Sequence, residues 1–306
     1  MNVTKEKDEI TVTSLEEFSM HRTVHNLKLS GDYKKYKTLL TNKNIKDAVT
    51  FFRMNNKTIK TILLNNNDLT GLSCRYIHQT DLQTLTTLDL SANKIGLYGC
   101  KTVASFFSKM PSLSSVKLSD VGMNHEGVKH ICNGLLGPSG VKTICLNLNG
   151  MLTKRNEAAA SIANMLARNN TLTSLNISNM KFLSSDMLKI SQGIQCNHTL
   201  RELDMTQKAL INPQHEKIFR ERITNSPMLE RVFLPDGCSF DLIMDMEHQF
   251  MHARTVFIEN NLTRASTAFL DQAECMHAKS TSSDLIFDVA SVLMPRIKKM
   301  KMEDCF

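Results

Sequence analysis

The sequence contains no tryptophan, and aromatic residues make up only 6% of it. A core organised around a few large rings is therefore excluded. The apolar material is leucine, isoleucine, valine and 18 methionines, which suits many thin, similar core layers. Close cysteine spacing is also missing. Cys74, Cys100, Cys132, Cys145, Cys196, Cys238, Cys275 and Cys305 are scattered, with no Cys-x-x-Cys pair. That argues against a zinc site or a compact disulfide framework, and free buried thiols in a reducing compartment are expected. No run of 18 apolar residues exists, so no spanning helix is expected. The first residues, MNVTKEKDEITVTS, lack the apolar stretch of a signal peptide. A cytoplasmic location follows as the expectation, on a cytoskeletal or ciliary structure, with no membrane partner.

Strong charge of one sign is absent too. The formal net charge of +7, with 22% charged residues, is a mild basicity that aids solubility. Lysine and arginine are not concentrated as a dedicated nucleic-acid binder requires, so no nucleic-acid partner is expected.

What is present is a repeat. Its frame is apolar, two variable, apolar, one variable, apolar, two variable, then often Asn. The clearest copies are LTTLDLSANKI (Leu85, Leu88, Leu90, Asn93, Ile95), IKTILLNNNDL (Ile59, Ile62, Leu64, Asn67, Leu69) and VKTICLNLNGM (Val141, Ile144, Leu146, Asn149, Met151). LSSVKLSDVGM, LTSLNISNMKF, LRELDMTQKAL and LERVFLPDG follow the same frame, and VHNLKLSGD, ARTVFIENN and IKKMKMEDC are outlying copies. The copies begin at 24, 59, 85, 113, 141, 172, 200, 229, 253 and 297, with central intervals of 26, 28, 28, 31, 28 and 29. Chance would not hold so narrow a range.

The apolar–x–apolar centre has period two, which predicts a short strand with alternate residues facing inward. The second half of each unit has helical spacing. Leu97, Val103, Ala104, Phe106 and Phe107 line one predicted helix, and Ala158, Ile162, Met165 and Leu166 another. One strand and one helix cannot bury their apolar surface alone, so the units must stack. The turn Asn can bond backbone groups that the bend leaves unpaired. Val121, Met180, Lys208 and Gly237 stand where that Asn is expected, so those turns must be satisfied differently.

These residues resemble the leucine-rich-repeat family, and the unit of about 28 residues with a full helix is similar to its ribonuclease-inhibitor-like class. NKTIKTI, NNTLTSL and NHTLREL, starting at Asn56, Asn170 (with Asn169 before it) and Asn197, add a second marker of that class. The resemblance implies an α/β solenoid, a curved horseshoe of about ten repeats. Its parallel sheet lines the concave face and its helices the convex face. Residues 1–23 form an N-terminal cap, with EITVTSLEEF supplying a short strand or helix. The solenoid spans 24–306, regular over 55–240 and irregular over 241–306.

Candidate chemistry is thin. GLLGPSGVKT approaches a phosphate loop, but Val141 separates Gly140 from Lys142 and the segment enters a strand rather than a helix. His248 and His252 lie four apart, yet Gln249 stands where a metalloprotease needs Glu. The sequons at Asn2, Asn56, Asn169, Asn176, Asn197 and Asn261 read as structural. No local arrangement of serine, cysteine or carboxylate suggests catalysis, so no enzyme activity, catalytic residue, metal or cofactor is expected.

In such a fold the variable strand positions face a partner. One column reads Lys28, Leu63, Asp89, Lys117, Cys145, Asn176, Asp204, Phe233, Phe257 and Lys301. Its neighbour includes Thr87, Ser115, Thr143, Ser174, Glu202, Arg231, Thr255 and Lys299. Aromatic residues and Arg are the usual anchors of interfaces. The expected contact cluster is Arg201, Glu202, Asp204, Glu230, Arg231, Phe233, Arg254 and Phe257, with packing of Phe233 and Phe257 under a loop as the competing reading. Arg296, Lys298, Lys299 and Lys301 read either as a contact for an acidic partner, an import signal or a phosphate backbone, or as the polar face of a strand that alternates with Ile297, Met300 and Met302. An uncapped last strand is a template for another chain, so a partner is expected over 296–306. The functional expectation is a non-catalytic interaction scaffold, a subunit of a larger cytosolic or cytoskeletal/ciliary assembly. The alternatives are a small-GTPase regulator resembling the Ran GTPase-activating family, whose acidic tail is missing here, and a free-standing inhibitor or sensor resembling the repeat region of innate immune receptors.

Overall fold

A computed structural model describes residues 5–6, 9–12, 24–31, 39–150, 152–208, 212–226, 228–236 and 238–239. The chain divides into two compact units, Met1–Ile258 and Glu259–Phe306. All described residues lie in the first. The expectations for Met151, Leu210, Gly237, His248, His252, Arg254, Phe257, Cys275, Arg296 and 297–306 fall outside them, as do Asn2 and Asn261.

Ten strands form one sheet in chain order. They are β1 (Lys5–Glu6), β2 (Glu9–Val12), β3 (Asn26–Lys28), β4 (Thr61–Leu63), β5 (Thr87–Asp89), β6 (Ser115–Lys117), β7 (Thr143–Cys145), β8 (Ser174–Asn176), β9 (Glu202–Asp204) and β10 (Arg231–Phe233). β1 and β2 pair antiparallel, and every later neighbour pairs parallel. The described helices are α1 (Asn42–Asp47), α2 (Val49–Met54), α3 (Gly71–His78), α4 (Gly96–Lys109), α5 (His125–Leu136), α6 (Arg155–Arg168), α7 (Ser184–Gln195) and α8 (Pro213–Thr224). From β4 onward one helix separates each pair of strands, and successive helices pack on one another.

The middle residue of each three-residue strand from β3 to β10 points inward. Leu27, Ile62, Leu88, Val116, Ile144, Leu175, Leu203 and Val232 are all buried. So are the two flanking apolar columns, such as Leu85 and Leu90 around β5 or Val141 and Leu146 around β7. The sheet therefore supplies three apolar rows, and the helices close over them. α4 contributes Val103, Phe106 and Phe107, and α6 contributes Ala158, Ile162, Met165 and Leu166. Leu97, expected on the packed side of α4, is instead 40% exposed because it lies in the first turn, beyond the edge of the buried stripe. α5 starts where Asn124 accepts a bond from the Gly127 amide at 2.9 Å. α8 starts with Asn212 accepting from Gln214 and Pro213 at its first position, where a missing N–H costs nothing.

The turns after the strands are held by buried amides. Asn93 Nδ2 donates to Leu64 O and Leu90 O, both at 2.9 Å, and its Oδ1 accepts from Leu69 N. Asn67 does the same for Leu29 O, Leu64 O and Leu40 N. Each residue thus ties its own turn to the preceding repeat. That explains the departures at Val121 and Met180, which are buried apolar residues. The turn at Val121 is served from the next repeat, where Asn149 Oδ1 accepts from Val121 N and Met123 N and Nδ2 donates to Leu118 O. The turn at Met180 is served by Gln207, which accepts from Phe182 N at 3.1 Å and donates to Phe182 O at 2.7 Å. Lys208, at the position expected for Asn, is exposed, and the buried amide sits one residue earlier on a longer side chain. The second marker needs a similar correction. The buried Asn is Asn55 rather than Asn56, and Asn169 rather than Asn170. Asn169 and Asn197 cap the next Leu amide, at 2.7 Å to Leu172 N and 2.6 Å to Leu200 N.

Two residues after the third apolar column, the chain turns left-handed in five successive repeats, at Asn66, Ala92, Asp120, Leu148 and Asn179, with φ between 51° and 62°. Asn tolerates this region, whereas Leu148 and Ala92 are strained in it.

Candidate partner-binding face

Strand register turns the outward residues into columns. Lys28, Leu63, Asp89, Lys117, Cys145, Asn176, Asp204 and Phe233 are successive partners across β3 to β10. Asn26, Thr61, Thr87, Ser115, Thr143, Ser174, Glu202 and Arg231 form the second column. Except for Asp89, all are half-buried or exposed, in contrast to the buried residues between them. A third column, not assembled from the sequence, precedes each strand: His25, Lys60, Thr86, Ser114, Lys142, Thr173, Arg201 and Glu230. The backbone ladder that aligns them runs from Lys60 N to His25 O and on to Glu230 N to Arg201 O. Its signal was available, because the position follows the first apolar residue of every repeat by one.

The middle of the face is rich in hydroxyl and amide groups that bond along the sheet. Thr86, Ser114 and Thr173 donate to carbonyls of the preceding repeat. Ser119 donates to Asn147 and Ser30 to Asn65. These bonds fix the rotamers and present a pre-organised polar surface.

The expected contact cluster is partly assembled. Arg201, Glu202, Asp204, Glu230, Arg231 and Phe233 lie together on β9, β10 and the residues just before them. Their charges largely face one another. Arg201 Nη1 meets Glu230 Oε1 at 2.5 Å and Arg231 Nη2 meets Glu202 Oε2 at 3.1 Å. Asp204 accepts from Asn176 at 2.9 Å and from Thr206 at 2.6 Å. Phe233 is half-buried, between the two readings given for it.

Cys145 sits at the centre of the face. Burial pushes its thiol up, and Asp89, Asp204 and Glu202 push the same way against Lys117. It is a weak nucleophile there. Cys100 and Cys132 are pushed up to about 12 by burial, and Cys74 higher still. The six described cysteines are unbridged. On the helix side, His125, Glu126 and Glu157 bring ligand atoms together, with His125 Nε2 3.7 Å and 3.9 Å from the two carboxylates. Lys129 and Lys154 already offset these acids, at 3.8 Å and 3.0 Å, so the group reads as a surface ion-pair network. No described helix is long and apolar enough to cross a membrane.

No family model matches the chain. A stretch of 126 residues is 31% identical to Protein CARMIL of Dictyostelium discoideum, covering 39% of this chain and 12% of that protein. A stretch of 120 residues is 26% identical to leucine-rich repeat-containing protein 45 of Gallus gallus, covering 39% of this chain and 18% of that one. The chain is a leucine-rich-repeat protein. It matches less than a fifth of the length of either curated relative. Among solved structures, leiomodin-1 actin-binding site 2 superposes with a TM-score of 0.41 at 16% identity, over 58% of this chain and 95% of that one. The leucine-rich-repeat fold of this chain rests on its own periodic sequence and on the sheet, helices and buried amides built from it.

Proposed function

We propose that this leucine-rich-repeat protein is a non-catalytic interaction scaffold that binds a protein partner on the outward face of its parallel sheet. The observation that carries this reading is the register itself. Three aligned columns of half-buried and exposed side chains run across β3 to β10, while the opposite side of the sheet is filled by helices. Side chains held by bonds along the sheet lose little entropy on binding, so a polar face of this kind can still support specific association. Phe233, with Asp204 beside it in register and Arg231 two residues earlier on the same strand, is the anchor assigned at the β10 end. A place in a cytosolic, cytoskeletal or ciliary assembly belongs to the same proposal, as does a capping role for residues 1–23.

The test is crosslinked affinity purification of the full chain from its native cells. Wild type is compared with Ser115→Arg/Ser174→Arg on the sheet face and Ser105→Arg/Asn164→Arg at exposed positions of the helices. A protein set of constant ratio that the sheet-face variant loses and the helix variant keeps is the expected result. Loss with the helix variant alone, or no protein partner at all, contradicts the reading.

A further inference from the structure

The sheet face is electrically divided, and we infer that its β3–β7 part docks an acidic protein segment. This inference rests on the binding face proposed above and names the chemistry of its partner. Lys28 and Lys117 stand in the first column, and Lys142 precedes β7, one strand beyond Lys117. All three are exposed. None of the ion pairs among the described residues engages them, whereas the cations at the other end, Arg201 and Arg231, are each held by a carboxylate of the same face. Lys28, Lys117 and Lys142 therefore keep their charge for a partner, and Arg201 and Arg231 do not.

The remaining side chains decide the class of anion. Asp89 lies between Leu63 and Lys117 in the same column, nearly buried, with its carboxylate accepting from Ser91 N at 3.0 Å. A uniform polyanion laid along this column would meet that fixed negative charge. A protein segment can place a neutral or donor side chain opposite Asp89 and acids opposite the lysines on either side. The lysine stems and Leu63 offer apolar contact beside the charges. Adjacent strands are about 4.8 Å apart, so Lys28 and Lys117, three strands apart, are separated by roughly 14 Å. An acidic helix or extended segment spans that distance easily. Arginine forks and Phe, Tyr or Trp stacking surfaces, the usual means of gripping a nucleic-acid strand, do not occur in the three columns from β3 to β7, where His25 is the one ring.

The experiment uses the purified full chain and two labelled probes of equal length, a mixed glutamate–leucine–serine peptide and a single-stranded RNA. Fluorescence anisotropy is read at low and at physiological salt. The peptide is expected to bind more tightly than the RNA and to weaken as salt rises. Lys28→Glu/Lys117→Glu/Lys142→Glu is expected to weaken peptide binding by about tenfold or more. The corresponding triple Gln variant is expected to fall between it and wild type, and stands in for it should the reversed chain not fold. Lys101→Glu/Lys189→Glu, two exposed lysines on α4 and α7 away from the sheet face, is expected to leave peptide binding unchanged. Tighter RNA binding, or peptide binding indifferent to the three lysines, overturns the inference. If the partner captured from cells is lost with Ser115→Arg/Ser174→Arg but kept by the lysine variants, the face stands and the acidic class falls. If neither set of variants releases it, the face falls as well.

Discussion

Asn149 and Gln207 hold corresponding turns two repeats apart, and they hold them differently. Asn149 bonds to two amides and two carbonyls, Val121 N, Met123 N, Leu118 O and Leu146 O, at 2.8 to 3.0 Å. Gln207, one residue earlier in its repeat, bonds to the amide and carbonyl of Phe182 alone. The face in front of them differs in the same sense. Near Asn149 it carries lysines and hydroxyls, and beside Gln207 it carries acids and arginines that pair with each other. A repeat protein need not repeat its polar machinery. It needs only to satisfy each buried backbone group by some route.

The largest expected effect tests the stronger turn. Asn149→Leu strands four buried backbone groups and should cost more than about 3 kcal/mol in urea unfolding. Gln207→Leu strands two and should cost about 2 kcal/mol. Equal costs would erase the distinction between the two turns. A gain is expected at Leu148, 52% exposed with φ of 62°. Leu148→Gly relieves the left-handed strain and should stabilise by about 1 kcal/mol, whereas Asn179→Gly, where the residue already tolerates that conformation, should be close to neutral.

The charge pairs of the second region come next. A double-mutant cycle on Glu202 and Arg231, whose side chains are 30% and 42% exposed, should return at most about 1 kcal/mol and less at high salt. The smallest effect lies at His78, whose ring stacks on Phe106 at 5.7 Å. Burial, then Lys109, lowers its pKa. The fold therefore favours the neutral ring. That contribution is complete above the ordinary imidazole pKa of about 6.5 and is lost as pH falls through the lowered value. His78→Gln should flatten the acid limb of the stability curve below that pH, and an unchanged limb would contradict the assignment.

Much of this was legible in the chain. Eight strands fall on the apolar–x–apolar centres of the repeat, because a period of two with three buried columns admits one strand register. The outward columns followed from the same alternation. The turns were read less well. Asn67, Asn93 and Asn149 announce themselves by position, but Gln207 does the same work from one residue earlier, and a frame that looks only for Asn at a fixed place passes over it. The pairing of Arg201 with Glu230 and Arg231 with Glu202 was hidden because it joins residues about 29 apart in sequence. Each looked like an available anchor until the strands set them side by side. Lys142 went unassigned for the opposite reason: it lies just outside the strand, and only the backbone ladder shows that its position forms a column.

The most direct measurement is hydroxyl-radical footprinting of the full chain alone and in its crosslinked complex. Leu63, Cys145 and Phe233 report on the sheet face, and Met54, Tyr98 and Leu183 on the exposed helix side. Protection of the first three with the second three unchanged is the predicted result. Protection confined to Met54, Tyr98 and Leu183 would place the partner on the helices and contradict the account.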